Sequence, residues 1–133
     1  MAVTDRNGYP GAVAIASAST HESQLVKLVL SQRFTEELPD KLIGDKAYDS
    51  EPLDQQLAAI GIDMIAPHKD NRVSPPTQDG RKLRRYKRRW KVERLFAWLQ
   101  QFRRLITRFE YSALNFLSFV RLGCAVILLR RYF

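Results

Sequence analysis

A chain of 133 residues can hold one domain with a packed core and is short for two. Its 45 % hydrophobic and 27 % charged residues exclude a disordered or fibrous class, and its single cysteine excludes an internal disulfide and fits the reducing cytoplasm. The net charge of +8 is concentrated: Lys69 to Arg108 holds 14 Lys/Arg against three acids, whereas the rest holds 8 basic and 11 acidic residues. A basic element on a mildly acidic body fits a polyanionic partner, nucleic acid first. The plainer alternative is a solvated basic helix face.

Met1 to Thr4 reads as a short strand, and Asp5-Arg6-Asn7-Gly8 as the turn of a hairpin. This opening has charged and turn residues where a secretory signal has an apolar core. Gly11 to Ser19 reads as the second strand, with β-branched Val13 and Ile15 among small residues. A helix capped by Thr20 or Ser23 is expected to run to about Phe34, with Leu25, Leu28 and Val29 on one face and His21 in its first turn. Lys41 to Gly44 is a short apolar run, hence a buried strand, and Asp45 follows its carboxyl end. Asp49 or Ser50 caps the next helix, Pro52 lies in its first turn and Gly61 ends it. Ile62 to Pro67 reads as another strand, and His68 to Gly80 as a polar, proline-containing loop.

A long basic helix is expected from about Asp79 to Ile106, with its dense charge over residues 81–106, and a last helix over residues 112–131. The stretch from Tyr111 to Leu129 approaches membrane-spanning length. Arg121 near its middle costs roughly 2.5–3.5 kcal/mol in a bilayer and Asn115 adds to that, so the core helix of a soluble protein is expected, with Cys124 buried in it. The order strand, strand, helix, strand, helix, strand, helix, helix implies one α/β domain over residues 1–133.

Successive helical residues turn by about 100°. Tyr86, Glu93 and Gln100 therefore stack within about 20°, with Arg89, Ala97 and Arg104 near the same line, while Val92, Leu95, Trp98, Leu99, Phe102 and Ile106 face the other way. Glu93 is the one acid among the cations of this helix. An i−4 ion pair with Arg89 accounts for a salt bridge and not for that isolation. Asp49 is better placed than Asp45 to cap the following helix, which leaves Asp45 free at a strand end, where ligands gather in open α/β sheets. Two carboxylates there would hold divalent cations, Mg²⁺ or Mn²⁺; in a two-metal site one ion activates a hydroxyl or water and the other stabilises the leaving oxygen. His68 reads as a surface residue near Lys69 and Arg72, and Trp90 as a base-stacking or packing side chain.

The spacing Tyr86-x2-Arg89-x3-Glu93, set in Lys91-Val92-Glu93-Arg94-Leu95-Phe96-Ala97-Trp98-Leu99 and followed by Phe102-Arg103-Arg104-Leu105, resembles the signature around the final acid of DDE-type insertion-sequence transposases. Ile43-Gly44-Asp45-Lys46-Ala47-Tyr48-Asp49 resembles the segment holding that family's second catalytic Asp, and the similarity extends to Gly123-Cys124-Ala125. The resemblance implies an RNase H-like mixed sheet with flanking helices and Mg²⁺-dependent (or Mn²⁺-dependent) cutting and transfer of DNA ends. By position Asp45 and Glu93 are the second and third metal-binding acids, and Tyr86 and Arg89 position phosphate. Lys87, Arg88, Lys91, Arg103 and Arg104 are the further cations expected on DNA, with Gln100 standing where the signature usually has Lys.

The family's first catalytic Asp lies on a strand that precedes such a hairpin. Asp5, inside the turn, does not match it. The expectation is therefore a catalytic domain truncated by about one strand, a poor catalyst alone, acting on transposon ends and target DNA as a homo-oligomer or with a full-length transposase. A DNA- or RNA-binding module without chemistry and a regulator of a full-length transposase are the rival readings. A membrane role is not expected.

Overall fold

The hairpin forms as β1 (Ala2–Thr4) and β2 (Pro10–Val13), antiparallel, with Ala2 opposite Val13 and Val3 opposite Ala12. Asp5 builds the turn: its carboxylate accepts from the Asn7 and Tyr9 N–H groups, each at 2.8 Å. Gly8 sits at φ +87°, a conformation that favours glycine. The second strand is shorter than the Gly11–Ser19 run, because Ser17 and Ser19 bond each other and curl the chain into a turn. The coordinates are a computed structural model and describe residues 1–132, with side chains through residue 131.

Helix α1 (Glu22–Ser31) starts one residue after His21, whose Nδ1 accepts from the Ser23 N–H, so His21 is the cap rather than a first-turn residue. Strand β3 (Lys41–Ile43), a 3-10 turn (Lys46–Tyr48), helix α2 (Glu51–Ala58) and strand β4 (Asp63–Ile65) form a parallel crossover, with Leu42 opposite Met64. The core beneath it gathers Val26, Leu30, Leu42, Leu53, Leu57, Ile62, Met64 and Ala66. Full burial of a Leu or Ile contributes about 1.5–3 kcal/mol, so this cluster anchors β3 and the acid that follows it.

The chain is α/β, but the strands form two separate two-stranded sheets rather than one mixed sheet. No ladder joins β1 to β3; an open trough lies between them.

The basic helix is also broken. Asp79 caps α3 (Gly80–Leu83) by accepting from the Arg81 and Lys82 N–H groups. Residues 84–88 then tighten to 3-10 geometry before α4 (Trp90–Leu99). Eight of the eleven residues from Arg81 to Lys91 are cations, and like charges at i, i+4, such as Arg84 with Arg88 and Lys87 with Lys91, oppose a regular helix. A second break follows α4: Phe102 turns extended and packs with Val13, Leu95, Leu99 and Cys124 before the short α5 (Arg103–Ile106).

Helix α6 (Ala113–Tyr132) closes the chain. Only a stripe of it is buried, including Cys124 and Ile127, while Leu114, Leu122 and Leu129 stay exposed. The core helix expected from sequence is therefore packed along one side only, with Cys124 buried as expected. By length and composition alone it is apolar enough to cross a membrane. Gly123 admits its neighbours: a Cβ there would meet Leu105 and Leu99 at 3.0 and 3.1 Å. Burial pushes the Cys124 thiol up to about 11, as befits an inert core thiol.

Candidate active site

Asp45 enters the site because Gly44 precedes it. A Cβ at Gly44 would lie 2.5 Å from the Tyr48 ring and 2.6 Å from Met64, so only glycine lets β3 pass this close and turn. Asp45 then caps the 3-10 turn, its Oδ1 accepting from the Ala47 N–H at 2.9 Å. Its other oxygen, Oδ2, accepts from Arg89 Nη1 at 3.0 Å. Of the two caps expected for α2, Ser50 holds the position, without a side-chain bond, and Asp49 does not, while Asp45, expected to be free, caps the short turn before it.

Glu93 projects from the first turn of α4, and its Oε1 accepts from Arg89 Nη2 at 2.8 Å. The i−4 ion pair, the plainer reading of Glu93, is therefore present. The same guanidinium also holds Asp45, 44 residues away in sequence, so two carboxylates from different elements converge on one cation. The hydrogen bond to Glu93, then the charges around it, raise the Arg89 pKa above its ordinary value. The Tyr86 ring lies 5.9 Å from the guanidinium, which keeps Tyr86, Arg89 and Glu93 together. Tyr48 stands beside them; burial first, then Glu22 and Asp45, push its phenol above its ordinary value, so it is a neutral hydroxyl.

The other predicted contacts divide. Arg88, Arg89 and Lys91 line the trough between β1 and β3, and Lys91 donates to the Arg6 carbonyl of the hairpin turn. Lys87 is exposed beside them. Gln100 is the C-cap of α4, and Arg103 lies beyond the break at Phe102. Arg104 turns to Glu110 at 3.7 Å and to the Phe119 ring. The straight line from Tyr86 through Arg104 therefore ends at α4, because the break redirects everything after it.

Two features had no sequence signal. Asp49, freed from capping, accepts from the Lys69 N–H (2.8 Å), His68 Nδ1 (3.0 Å) and Arg72 Nη1 (2.6 Å). Burial alone would raise its pKa, but these donors hold it below its ordinary value. His68, expected at the surface, is thus half-buried in a polar staple, with Nε2 accepting from the Thr77 N–H. Arg94 is the second: it lies over both the Trp90 and Trp98 rings, at 4.8 and 4.7 Å, and donates to the Asn7 carbonyl. Lys91 and Arg94 so tie α4 to the hairpin and fix where Glu93 stands. Exposed Trp90 is partly covered by that stacking.

Asp45 and Glu93 are the residues that could hold a metal. They are hard oxygen donors, and Mg²⁺ is commonly held by one or two carboxylates with phosphate oxygens completing its shell. The cation already drawn between them, the Arg89 guanidinium, marks a place where positive charge is favoured. Among the described residues no group of three or more His, Cys, Asp or Glu side chains gathers.

The family model for the transposase DDE domain matches residues 1–129. The chain belongs to the DDE transposase family. Curated relatives agree: it is similar to a transposase described for insertion sequence element IS402 of Burkholderia cepacia, at 34 % identity over 94 % of this chain and 59 % of that protein. It is also similar to one described for element IS6501 of Brucella ovis, at 38 % identity over 67 % of each. The chain thus spans less than two thirds of the first relative's length. No solved structure matches it.

Proposed function

We propose that this chain carries part of the active site of an insertion-sequence transposase, cleaving and transferring DNA ends with Mg²⁺ or Mn²⁺. The observation that carries the reading is the convergence of Asp45 and Glu93 on Arg89, from a strand end and a helix, within a cationic surface. Family membership supports the chemistry, and the α/β order supports an RNase H-like core with its sheet incomplete.

In this reading Asp45 and Glu93 hold the divalent cation. A pair of such cations, when bound, would supply activation of a hydroxyl or water for attack on phosphorus and stabilisation of the leaving oxygen. The protein's own groups bind and orient. Lys87, Arg88 and Lys91 meet the DNA backbone at its phosphates, which positions the duplex without reading its sequence. Arg89 is the mobile member: it neutralises both carboxylates in the free protein and moves onto a phosphate when a metal and DNA arrive. Its fork suits either anion. Tyr86 orients that guanidinium. The protonated Tyr48 hydroxyl stands beside Asp45 as a neutral neighbour. Gln100 offers a hydrogen bond without charge, a weaker phosphate contact than a lysine.

A third acid belongs to such a site, and it is not among the carboxylates that meet Arg89. The chain alone is therefore a DNA binder and a weak catalyst, working in the cytoplasm as an oligomer or with a full-length transposase. The absence of a third gathered acid among the described residues also favours a second reading, a catalytically silent DNA-binding regulator. A metal-dependent cleavage and strand-transfer assay on insertion-sequence end DNA tests the proposal. DNA binding with little cleavage is expected. Ordinary cleavage by this chain contradicts the three-acid account, and no affinity for DNA contradicts the whole reading.

A further inference from the structure

Helix α6 has a neighbour on each flank and a bare ridge between them. On one flank Arg121 Nη2 donates to Oε1 of Gln32, the C-cap of α1. On the other, the Arg104 and Arg108 guanidiniums lie over the Phe119 and Phe116 rings, at 5.4 and 6.0 Å. Successive residues turn by about 100°, which sets Arg121 about 140–160° around α6 from those rings. The ridge is Asn115, Ser118, Leu122, Ala125 and Leu129, all exposed. Their alternating spacing of three and four residues is that of a coiled-coil seam. Leu122 and Leu129, 59 % and 56 % exposed, are its apolar anchors. Small Ser118 and Ala125 admit a second helix closely, and the Ser118 hydroxyl already donates to the Leu114 carbonyl at 3.0 Å.

The two flanks carry opposite charge. From Arg94 onward the chain has seven arginines, no lysine and one acid, Glu110. That acid is turned inward, its side chain 9 % exposed and 3.7 Å from Arg104. Arginine and aromatic residues without lysine are the composition of protein interfaces. On the α1 flank the chain continues into Phe34-Thr35-Glu36-Glu37-Leu38-Pro39-Asp40, with Phe34 and Leu38 partly exposed among three acids. Among the described residues no ion pair engages those three carboxylates. The cations nearby are Arg33, which donates to the Leu30 and Glu36 carbonyls, Lys27 further up α1, and Lys41, which lines the trough.

We propose that two copies of this chain pair through the α6 ridge, with the helices parallel and the arginine flank of each copy on the acidic flank of the other. A two-fold axis running along α6 brings unlike flanks together, whereas one running across α6 would lay arginine on arginine. Arg121 and Phe119 lie within one turn of α6, so both flanks stand at the same height on it. The seam selects the same arrangement. In parallel pairing Asn115 meets Asn115 and the leucines meet their equals. An antiparallel pair centred on Leu122 would set Asn115 against Leu129 and bury an unpaired amide. A ridge one helix wide falls short of the roughly 800 Å² per partner of a stable interface, and the acidic loop and α5 widen it. The acids beside the ridge repel nucleic acid from the same place. The pairing gives a surface to the oligomer proposed above and stands on α6 and its flanks, independent of the metal chemistry of Asp45 and Glu93.

The test is sedimentation equilibrium of the intact chain from about 1 to 100 µM, without DNA or metal. A monomer–dimer equilibrium is expected. Leu122→Asp, at an exposed position, should raise the dissociation constant about a hundredfold, and Glu36→Lys/Glu37→Lys about tenfold, with circular dichroism unchanged in both. Direction is read by disulfide formation under mild oxidation, since the native Cys124 is buried. Asn115→Cys and Leu129→Cys place thiols about 21 Å apart along the helix. Each should cross-link with its own kind, and a mixture of the two should give no mixed disulfide. A monomer at every concentration, a dimer indifferent to Leu122→Asp, or a mixed disulfide overturns the pairing. None of those results touches DNA cleavage or Mn²⁺ binding by Asp45 and Glu93, which are measured separately.

Discussion

Two Asp–Arg pairs lie four residues apart at their acidic ends and behave as opposites. Asp49 and Arg72 meet at 2.6 Å with side chains only 4 % and 11 % exposed. Asp45 and Arg89 meet at 3.0 Å with side chains 35 % and 34 % exposed. The buried pair is satisfied on every side, by the Lys69 N–H, His68 and, through Arg72, Glu51, and it fastens the loop after β4 to the start of α2. The open pair shares its arginine with Glu93, itself 61 % exposed, and faces a trough. A shielded pair cannot be separated without leaving a bare charge, whereas a wet pair exchanges partners at little cost. The first is suited to holding shape and the second to exchanging partners, as the proposed move of Arg89 onto phosphate requires.

The largest effect follows from breaking the buried side of this comparison. Asp49→Ala strands Arg72 and His68 and should cost about 3 kcal/mol of stability, read as a lowered denaturant midpoint. Gly44→Ala comes next: the Cβ pushes Tyr48 and Met64 from a packed position, for about 1–3 kcal/mol, and displaces Asp45. Acid sharpens the contrast further. The Asp49 pKa is lower folded than its ordinary value of 3.8. Its contribution is therefore complete above that value and lost as pH falls through the folded pKa. Thermal melting should hold steady from near neutrality to about pH 4 and fall below it, and Asp49→Asn should blunt the fall.

The open pair should respond in the opposite sense. Arg89→Ala should change stability by less than about 1 kcal/mol, because water screens both partners. With the competing cation gone, Mn²⁺ affinity should rise about tenfold, while affinity for DNA falls. A variant that loses stability like Asp49→Ala, with no gain in Mn²⁺ binding, would place Arg89 among the structural groups.

Much of this arrangement was legible in the residues. The hairpin was marked by Asp5 to Gly8, the crossover by alternating apolar runs, and the two acids by their local motifs. Local spacing placed Tyr86, Arg89 and Glu93 together because seven residues span two helical turns. The staple at Asp49 was not legible, since its partners lie 19 to 23 residues away in an irregular loop with no period. Helix continuity failed where propensity was outweighed by crowded charge between Arg81 and Lys91, and again where burial of Phe102 pulled the chain extended. The exposed flank of α6 was hidden too, because apolar residues surround that helix and no face stands out.

The central claim is that Asp45 and Glu93 form one cation site, and a Mn²⁺ titration followed by electron paramagnetic resonance tests it most directly. The free Mn²⁺ signal should be depleted by the unaltered protein, more strongly by Arg89→Ala, and far less by Asp45→Asn or Glu93→Gln, with all four equally folded. Equal depletion by the unaltered protein and an Asp45→Asn/Glu93→Gln double variant would contradict it.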